Sequence, residues 1–449
     1  MIKINEKWRQ MLHIEPPQGW LNDPNGLCFF NGKYHVYFQY SPKSPLGNGP
    51  RGWGHYESTD MLAWTFTGFV IRPDIPEDKD GAYSGSAIVH DNKMYIFYTG
   101  NVKEDGEYDY IVAGRKASVI CVTSKDGHTM SEKKVILTNS DYPEFCSCHV
   151  RDPKVWYENG KWRMVLGART LSDKGCVLYY SSNNLENWEY DGYESIPDFG
   201  YMWECPDCFM LDNHHYLSIS PQGLAQEKTR FQNVYQSGYF KVESELADFE
   251  EWDYGFDFYA PQTFVDSKGR HIIIGWMGIA DSPFNNPTAS FGWQHCLTLP
   301  REITREEDGA LLQNPIKEMD ALRSELQVLY SGDDTKVMLP FDFTAKTKND
   351  YEIVLAEEVC LKYDSAEKLF ILKFLNKEIG GERTQRLVEI NQCDDIRIIA
   401  DKSSIEIYLN HGRKVLSTRF YPQNDNISVK IVGADAHIYS LKREVQINE

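Results

Sequence analysis

Asp23, Asp152 and Glu204 stand far apart in a chain of 449 residues, yet each comes at nearly the same distance before a turn-forming pair. Asp23 and Glu204 lie eight residues before Asn31-Gly32 and Asp212-Asn213, and Asp152 lies seven before Asn159-Gly160. The same count back from Asp91-Asn92 reaches Tyr83 and Ser84, and one position more from Lys268-Gly269 reaches Tyr259. If the five segments are equivalent, three acids, a hydroxyl pair and a phenol meet at one place. Paired carboxylates are the usual means of cleaving a glycosidic bond, one ionised to attack the anomeric carbon and one protonated to assist the departing oxygen. Crowding acids helps to separate those states, because each negative charge disfavours the next. Arg151 is placed to keep Asp152 ionised. Taken singly, the same residues read more plainly, Asn22-Asp23-Pro24-Asn25-Gly26 as a tight entry to a strand and Arg151-Asp152-Pro153 as a structural ion pair. Their shared register is what favours chemistry.

The elements that must deliver these residues are hairpins. Each turn pair is flanked by apolar runs, as in LCFF-NG-KYHVYFQY and KVWYE-NG-KWRMVLGA, which is the signature of strand, tight turn, strand. The turns begin at residues 31, 91, 159, 212 and 268, so the period is 53 to 68 residues. A second feature recurs with it: Asp or Asn four residues before Trp, at Asp60/Trp64, Asn184/Trp188 and Asp248/Trp252, with Ser124-Lys125-Asp126-Gly127 as a partial copy. One hairpin plus one such element per repeat implies about four strands per unit, and five units imply an all-β, five-bladed β-propeller over residues 1–310. Two ordinary β-sandwiches are the rival arrangement, which the near-constant interval disfavours. Asn314 as cap, Pro315 as first helical residue, and Ile316, Met319, Leu322 and Leu326 on one face predict a linker helix within 311–329. From residue 330 to 449 eight or more short apolar runs, such as SIEIYLN, show no blade period and predict a C-terminal β-sandwich.

Composition narrows the classes. Lys and Arg number 47 against 66 Asp and Glu, a net charge of −19, which repels nucleic acid and anionic membranes. No apolar run approaches the ~20 residues of a membrane span, and the charged start MIKINEKWRQML lacks the apolar core of a signal peptide. A cytoplasmic location is therefore expected. Cys205-Pro206-Asp207-Cys208 and the group Cys146, Cys148 and His149 lack the second pair that a zinc site needs and the context of a redox motif, so ordinary buried thiols are expected and no metal.

Several long stretches together resemble glycoside hydrolase family 32, the invertases, fructanases and sucrose-6-phosphate hydrolases. They are Trp20-Leu21-Asn22-Asp23-Pro24-Asn25-Gly26, Trp53-Gly54-His55, Tyr83-Ser84-Gly85-Ser86, Arg151-Asp152-Pro153, Trp203-Glu204-Cys205-Pro206 and Asp257-Phe258-Tyr259-Ala260-Pro261, with Arg419-Phe420-Tyr421-Pro422 in the C-terminal part. The resemblance implies a retaining β-fructofuranosidase that acts on sucrose, sucrose 6-phosphate or short fructo-oligosaccharides. Asp23 would be nucleophile, Glu204 acid/base and Asp152 the holder of fructose hydroxyls, with no cofactor. It also implies contacts to the fructosyl unit from Asn22, Gln39, Trp53, Tyr83, Ser84, Arg151, Tyr259 and Trp276. One departure is Leu46, where family members commonly carry Trp. A phosphorylated substrate would need local cations, for which Arg115, Lys116, His149, Arg169, Lys228 and Arg230 lie in expected loops. The alternatives are an inverting propeller glycosidase on arabinose or xylose chains and a non-catalytic sugar-binding propeller. Monomer and homo-oligomer are both compatible with the sequence.

Overall fold

A two-residue hairpin turn of type I′ needs positive φ at both central positions, a demand that Asn, Asp and Gly meet at least cost. Asn31-Gly32, Asp91-Asn92, Asn159-Gly160 and Asp212-Asn213 all adopt it, with φ between 49° and 81°. The fifth turn is longer. There Asp266 Oδ1 accepts from the Lys268 and Arg270 amides, and Gly269 alone has positive φ. The computed structural model describes residues 6–242, 246–347 and 349–442. Residues 1–5 and 443–449, the outer ends of the two expected domains, lie outside the described residues.

Five largely antiparallel sheets follow one another along the chain, the first four built on four consecutive strands and the fifth interrupted after its second strand by the two-residue strands Trp293–Gln294 and Cys296–Leu297. Their leading strands are Gly19–Phe30, Ala82–His90, Cys146–Glu158, Met202–Leu211 and Tyr259–Val265. Each leading strand packs against the next, and the fifth packs against the first. The circle is also tied by hydrogen bonds. Residues Trp293–Gln294, which follow the second strand of the fifth sheet, pair in parallel with Gly19 and Trp20 of the first. The recurring polar element is a turn after the third strand: Asp60, Asp126 and Asn184 each accept two backbone amides from the residues two and three ahead. The partial copy at 124–127 is thus a full copy in structure, its missing Trp notwithstanding. In the fourth sheet Asp248 lies inside the strand Leu246–Glu251.

The expected linker helix is corrected by the structure. Leu311–Pro315 is the last strand of the fifth sheet, Lys317–Leu322 forms a short 3₁₀ turn, and Arg323–Leu329 is a strand paired with Asp435–Leu441. Asn314 caps nothing; its side chain donates to the His411 carbonyl. Ile316 and Met319 are buried by the single turn, whereas Leu326 is 52% exposed. An available sheet edge satisfies the backbone of 323–329, and this outweighs a helical apolar spacing of four residues.

Twelve strands in two six-stranded sheets make up the C-terminal part. Phe343, Ile398 and Ile407 of one sheet share a core with Ile353, Leu361 and Val429 of the other. The segment KVMLPFDF, one continuous apolar run in the sequence, is divided between Asp334–Met338 and Phe341–Lys346, which belong to different sheets. Between this part and the five-sheet ring lies a buried polar network. Arg301 binds Glu406 Oε2 at 2.6 and 2.9 Å and Asp253 Oδ2 at 3.1 Å, while His13 bridges Asp401 at 2.8 Å and Glu406 at 2.9 Å. No helix among the described residues is long and apolar enough to cross a membrane.

Candidate active site

A regular strand sends neighbouring residues to opposite faces, so two adjacent residues cannot both reach one cavity. The leading strands escape that rule through β-bulges. Pairing breaks between Leu21 and Pro24, Ala82 and Gly85, Arg151 and Lys154, Glu204 and Asp207, and Tyr259 and Gln262. Four bulges hold a proline or end on one: Pro24, Pro153, Pro206 and Pro261. Proline has no N–H to contribute to a ladder and is tolerated where the ladder is broken. Asp152, Cys205 and Ala260 all precede their proline with positive φ, at 65°, 45° and 48°. The structural equivalents are therefore Arg151, Glu204 and Tyr259, each the last paired residue before its bulge. Asp152 and Tyr83 are one place further on and Asp23 and Ser84 two, inside their bulges, which corrects the count from the turns. The drift of seven, eight and nine residues reflects bulges of differing position and a longer fifth turn.

The bulges open onto a cavity of about 630 Å³. Asn22, Asp23, Gln39, Tyr83, Arg151, Asp152, Glu204, Tyr259 and Trp276 line it. Two of the expected substrate contacts lie beneath the lining. Ser84 is fully buried and donates to Asp23 Oδ2 at 2.5 Å. Trp53 is fully buried in the core between the first two sheets, and its indole N–H holds the Tyr83 carbonyl at 3.0 Å.

Each acid has its own surroundings. Asp23 accepts from Ser84 and, at 3.1 Å, from Asn22. Gln39 links these two donors, accepting from Asn22 and donating to Ser84, both at 2.7 Å. Burial raises the Asp23 carboxyl above the usual range and the Glu204 charge adds to this, against the Ser84 and Asn22 hydrogen bonds. Asp152 is 2% exposed. Its Oδ2 accepts the Cys205 amide at 2.9 Å, and its own amide is held by Thr99 Oγ1 at 2.8 Å. Burial, with help from Glu204 and against Arg151, pushes it up to about 7. Among the described residues Asp152 Oδ1 has no protein partner, so one oxygen is left for a ligand. Glu204 is held on both oxygens: Oε1 takes two bonds from Arg151 at 2.7 and 3.1 Å, and Oε2 takes Tyr259 at 2.6 Å and Gln222 at 2.8 Å. Burial and the Glu204 charge hold the Tyr259 phenol well above its ordinary value, so it stays a donor.

Sequence reasoning missed several of these partners. Gln222 left no signal, since its role depends on strand pairing. Cys205, read as an ordinary buried thiol, places its Sγ 3.6 Å from both Asp23 Oδ2 and Asp152 Oδ2. Burial first, then the two carboxylates, keeps that thiol protonated. The proline after it was the available clue, since it implies a bulge that turns Cys205 inward beside Glu204. His149 accepts from Arg151 at 2.8 Å through Nδ1 and donates from Nε2 to the Tyr110 carbonyl at 3.1 Å. Burial first, then Arg151, Arg115 and Arg169, lower it to about 3, so it is a neutral brace for Arg151. Of the six cations considered for a phosphate, Arg115 and His149 line the cavity. Lys116 pairs with Glu104, Arg169 with Asp173, and Arg230 donates to the Phe249 carbonyl. Lys228 is exposed away from the lining. Leu46 stands at the rim, 63% exposed, on a wall whose aromatic surface comes from Trp20 and Trp276, 6.0 Å apart between ring centres.

The sequence matches known proteins along nearly its whole length. Residues 13–315 match the N-terminal domain of glycosyl hydrolases family 32, and residues 357–445 match the family's C-terminal domain. The chain belongs to glycosyl hydrolase family 32. Family 32 relatives include a raffinose invertase of Escherichia coli, 39% identical over 95% of this chain and 92% of that protein. A sucrose-6-phosphate hydrolase of Bacillus subtilis is 37% identical over the same shares. Among solved structures, a family 32 β-fructofuranosidase of Bombyx mori superimposes with a TM-score of 0.86 at 29% identity, covering 98% of this chain and 95% of that one. A sucrose-6-phosphate hydrolase of Lactobacillus gasseri gives 0.86 at 26% identity, covering 97% and 93%. The chain is a glycoside hydrolase.

Proposed function

We propose that this family 32 enzyme is a retaining β-fructofuranosidase that hydrolyses the fructosyl bond of sucrose, sucrose 6-phosphate or short fructo-oligosaccharides. The observation that carries the reading is the unequal furnishing of three acids in one cavity. Asp23, oriented by Ser84 and Asn22, attacks the fructosyl C2 and forms a covalent intermediate. Glu204, fixed by Arg151, Tyr259 and Gln222, gives its proton to the departing glycosidic oxygen and then takes one from the water that releases fructose. Asp152, with one oxygen free, holds fructose hydroxyls and steadies the positive charge that develops at C2. This chemistry calls for no cofactor.

The same reading extends to the architecture. The five sheets are the blades of a five-bladed propeller comprising about residues 1–310, a view supported by the closed circle of leading strands. The two six-stranded sheets that follow are a β-sandwich. A cytoplasmic location is supported by the ten cysteines, all of them free. The stereochemical test is direct. Proton NMR of sucrose during the first turnovers must show β-fructofuranose as the initial product, before mutarotation. An α-anomer formed first would mean inversion and would remove Asp23 as nucleophile.

A further inference from the structure

We propose that Arg115 recognises a phosphate on the leaving group, so that this enzyme prefers sucrose 6-phosphate to sucrose. The proposal rests on the fructofuranosidase reading above. In a chain of net charge −19, the cavity wall from the second and third sheets carries two arginines, Arg115 and Arg151, beside Asp80 and Asp152. Their partners differ. Arg151 is committed to Glu204 and His149. Arg169, close behind, is committed to Asp173 through two bonds and lies over the Tyr201 ring at 4.6 Å. Arg115 makes one neutral hydrogen bond, from NH1 to Asn101 Oδ1 at 2.8 Å. Its Nε is buried without an acceptor, and among the described residues no carboxylate pairs with it. A guanidinium with a buried, unmatched N–H at a cavity wall is furnished for an anion.

Position selects which anion. Arg51, the other cavity arginine without a carboxylate pair among the described residues, lies near Trp20 and lowers the Asp23 carboxyl, which places it at the fructosyl end. Arg115 acts on His149, which braces Arg151, which holds Glu204. Arg115 therefore stands on the side where the protonated oxygen leaves. A phosphate there belongs to the departing sugar.

The experiment compares kcat/KM on sucrose 6-phosphate and on sucrose for the native enzyme, Arg115→Gln, Arg115→Lys and Lys116→Gln. Arg115→Gln is expected to lose about 10- to 100-fold on sucrose 6-phosphate, the range of a charge-assisted hydrogen bond, with sucrose changed by less than about 3-fold. Arg115→Lys recovers part of that loss, and Lys116→Gln, whose residue pairs with Glu104 outside the lining, changes neither. The native preference shrinks as salt is added. On the unmodified enzyme, glucose 6-phosphate inhibits at lower concentration than glucose. Equal losses on both substrates would reduce Arg115 to a structural role, and equal native kcat/KM values, or equal inhibition by the two products, would overturn the proposal while leaving the fructosidase reading intact. Failure of the native enzyme to cleave either sugar would sink both.

Discussion

Two places in this molecule each gather three carboxylates, and they treat them in opposite ways. In the network between the ring and the C-terminal sheets, all six oxygens of Asp253, Asp401 and Glu406 accept hydrogen bonds, with Arg301 and His13 supplying positive charge. Burial alone would raise Glu406, yet Arg301 and His13 lower it to about 2, and Asp401 is lowered as well. Only Asp253, where burial outweighs Arg301, moves up, to about 6. In the cavity beneath the bulges Asp23 and Asp152 are both raised, and Asp152 keeps an oxygen unmatched. Similar groups become a fastener where all three are buried, and an open site where Asp23 and Glu204 are half-buried and one oxygen of Asp152 is left unmatched. What differs is the supply of positive charge: Arg301 and His13 both serve the network, whereas Arg151 alone pairs with an acid of the cavity and leaves one Asp152 oxygen open to the reacting sugar.

The largest test of the contrast pairs one substitution from each place. Asp23→Asn is expected to lower kcat on sucrose by about 10⁴-fold or more while leaving the unfolding midpoint unchanged or raised, because a crowded buried charge is removed. Glu406→Gln should do the reverse. It strands Arg301 and half of His13, at about 3–5 kcal/mol of stability in denaturant titrations, with kcat of the folded fraction little changed. A marked loss of stability in Asp23→Asn, or none in Glu406→Gln, would mean that the two clusters are not opposites.

His13 gives the next test. Burial alone would lower the imidazolium, but Asp401 and Glu406 raise it to about 9, against about 6.5 when unfolded. A raised folded value means that its contribution is complete below pH 6.5 and is lost as pH climbs through 9. The shift corresponds to about 3 kcal/mol. Stability measured from pH 6.5 to 9.5 should therefore fall in the native protein, and the difference between native and His13→Gln should shrink over that interval. A difference that stays constant with pH would show that His13 acts through packing alone.

How far this contrast could be read beforehand depends on the range of the interactions. The hairpins were legible because Asn-Gly and Asp-Asn carry a local requirement for positive φ. The acids were legible because those turns recur, although for want of the bulges the count misplaced Asp152 by one residue and Asp23 by two. The linker helix failed because spacing at Ile316, Met319, Leu322 and Leu326 is local, while the sheet edge that claims 323–329 comes from 435–441. The pairing within the network could not be read. His13 and Asp401 are 388 residues apart, and nothing local to either shows that they meet. Gln222 and the brace at His149 were hidden in the same way, each defined only by what the fold sets beside it.

Leu46 supplies the smallest expected effect. It is 63% exposed at the rim, so truncating or enlarging it should move stability by no more than about 0.5 kcal/mol. An indole at that position would add a flat apolar face and an N–H donor close to Trp20 on the cavity wall. An aromatic contact of this kind is worth about 0.5–1.5 kcal/mol, which translates into a KM for sucrose lower by about 2- to 10-fold in Leu46→Trp, at unchanged kcat. A change confined to KM would mean that the rim contributes binding that is equal in ground and transition states. The three acids below would then alone set the rate. Should kcat rise with the indole instead, the rim would be taking part in the orientation of the reacting sugar, and the boundary drawn here between wall and catalytic floor would have to move outward to include residue 46.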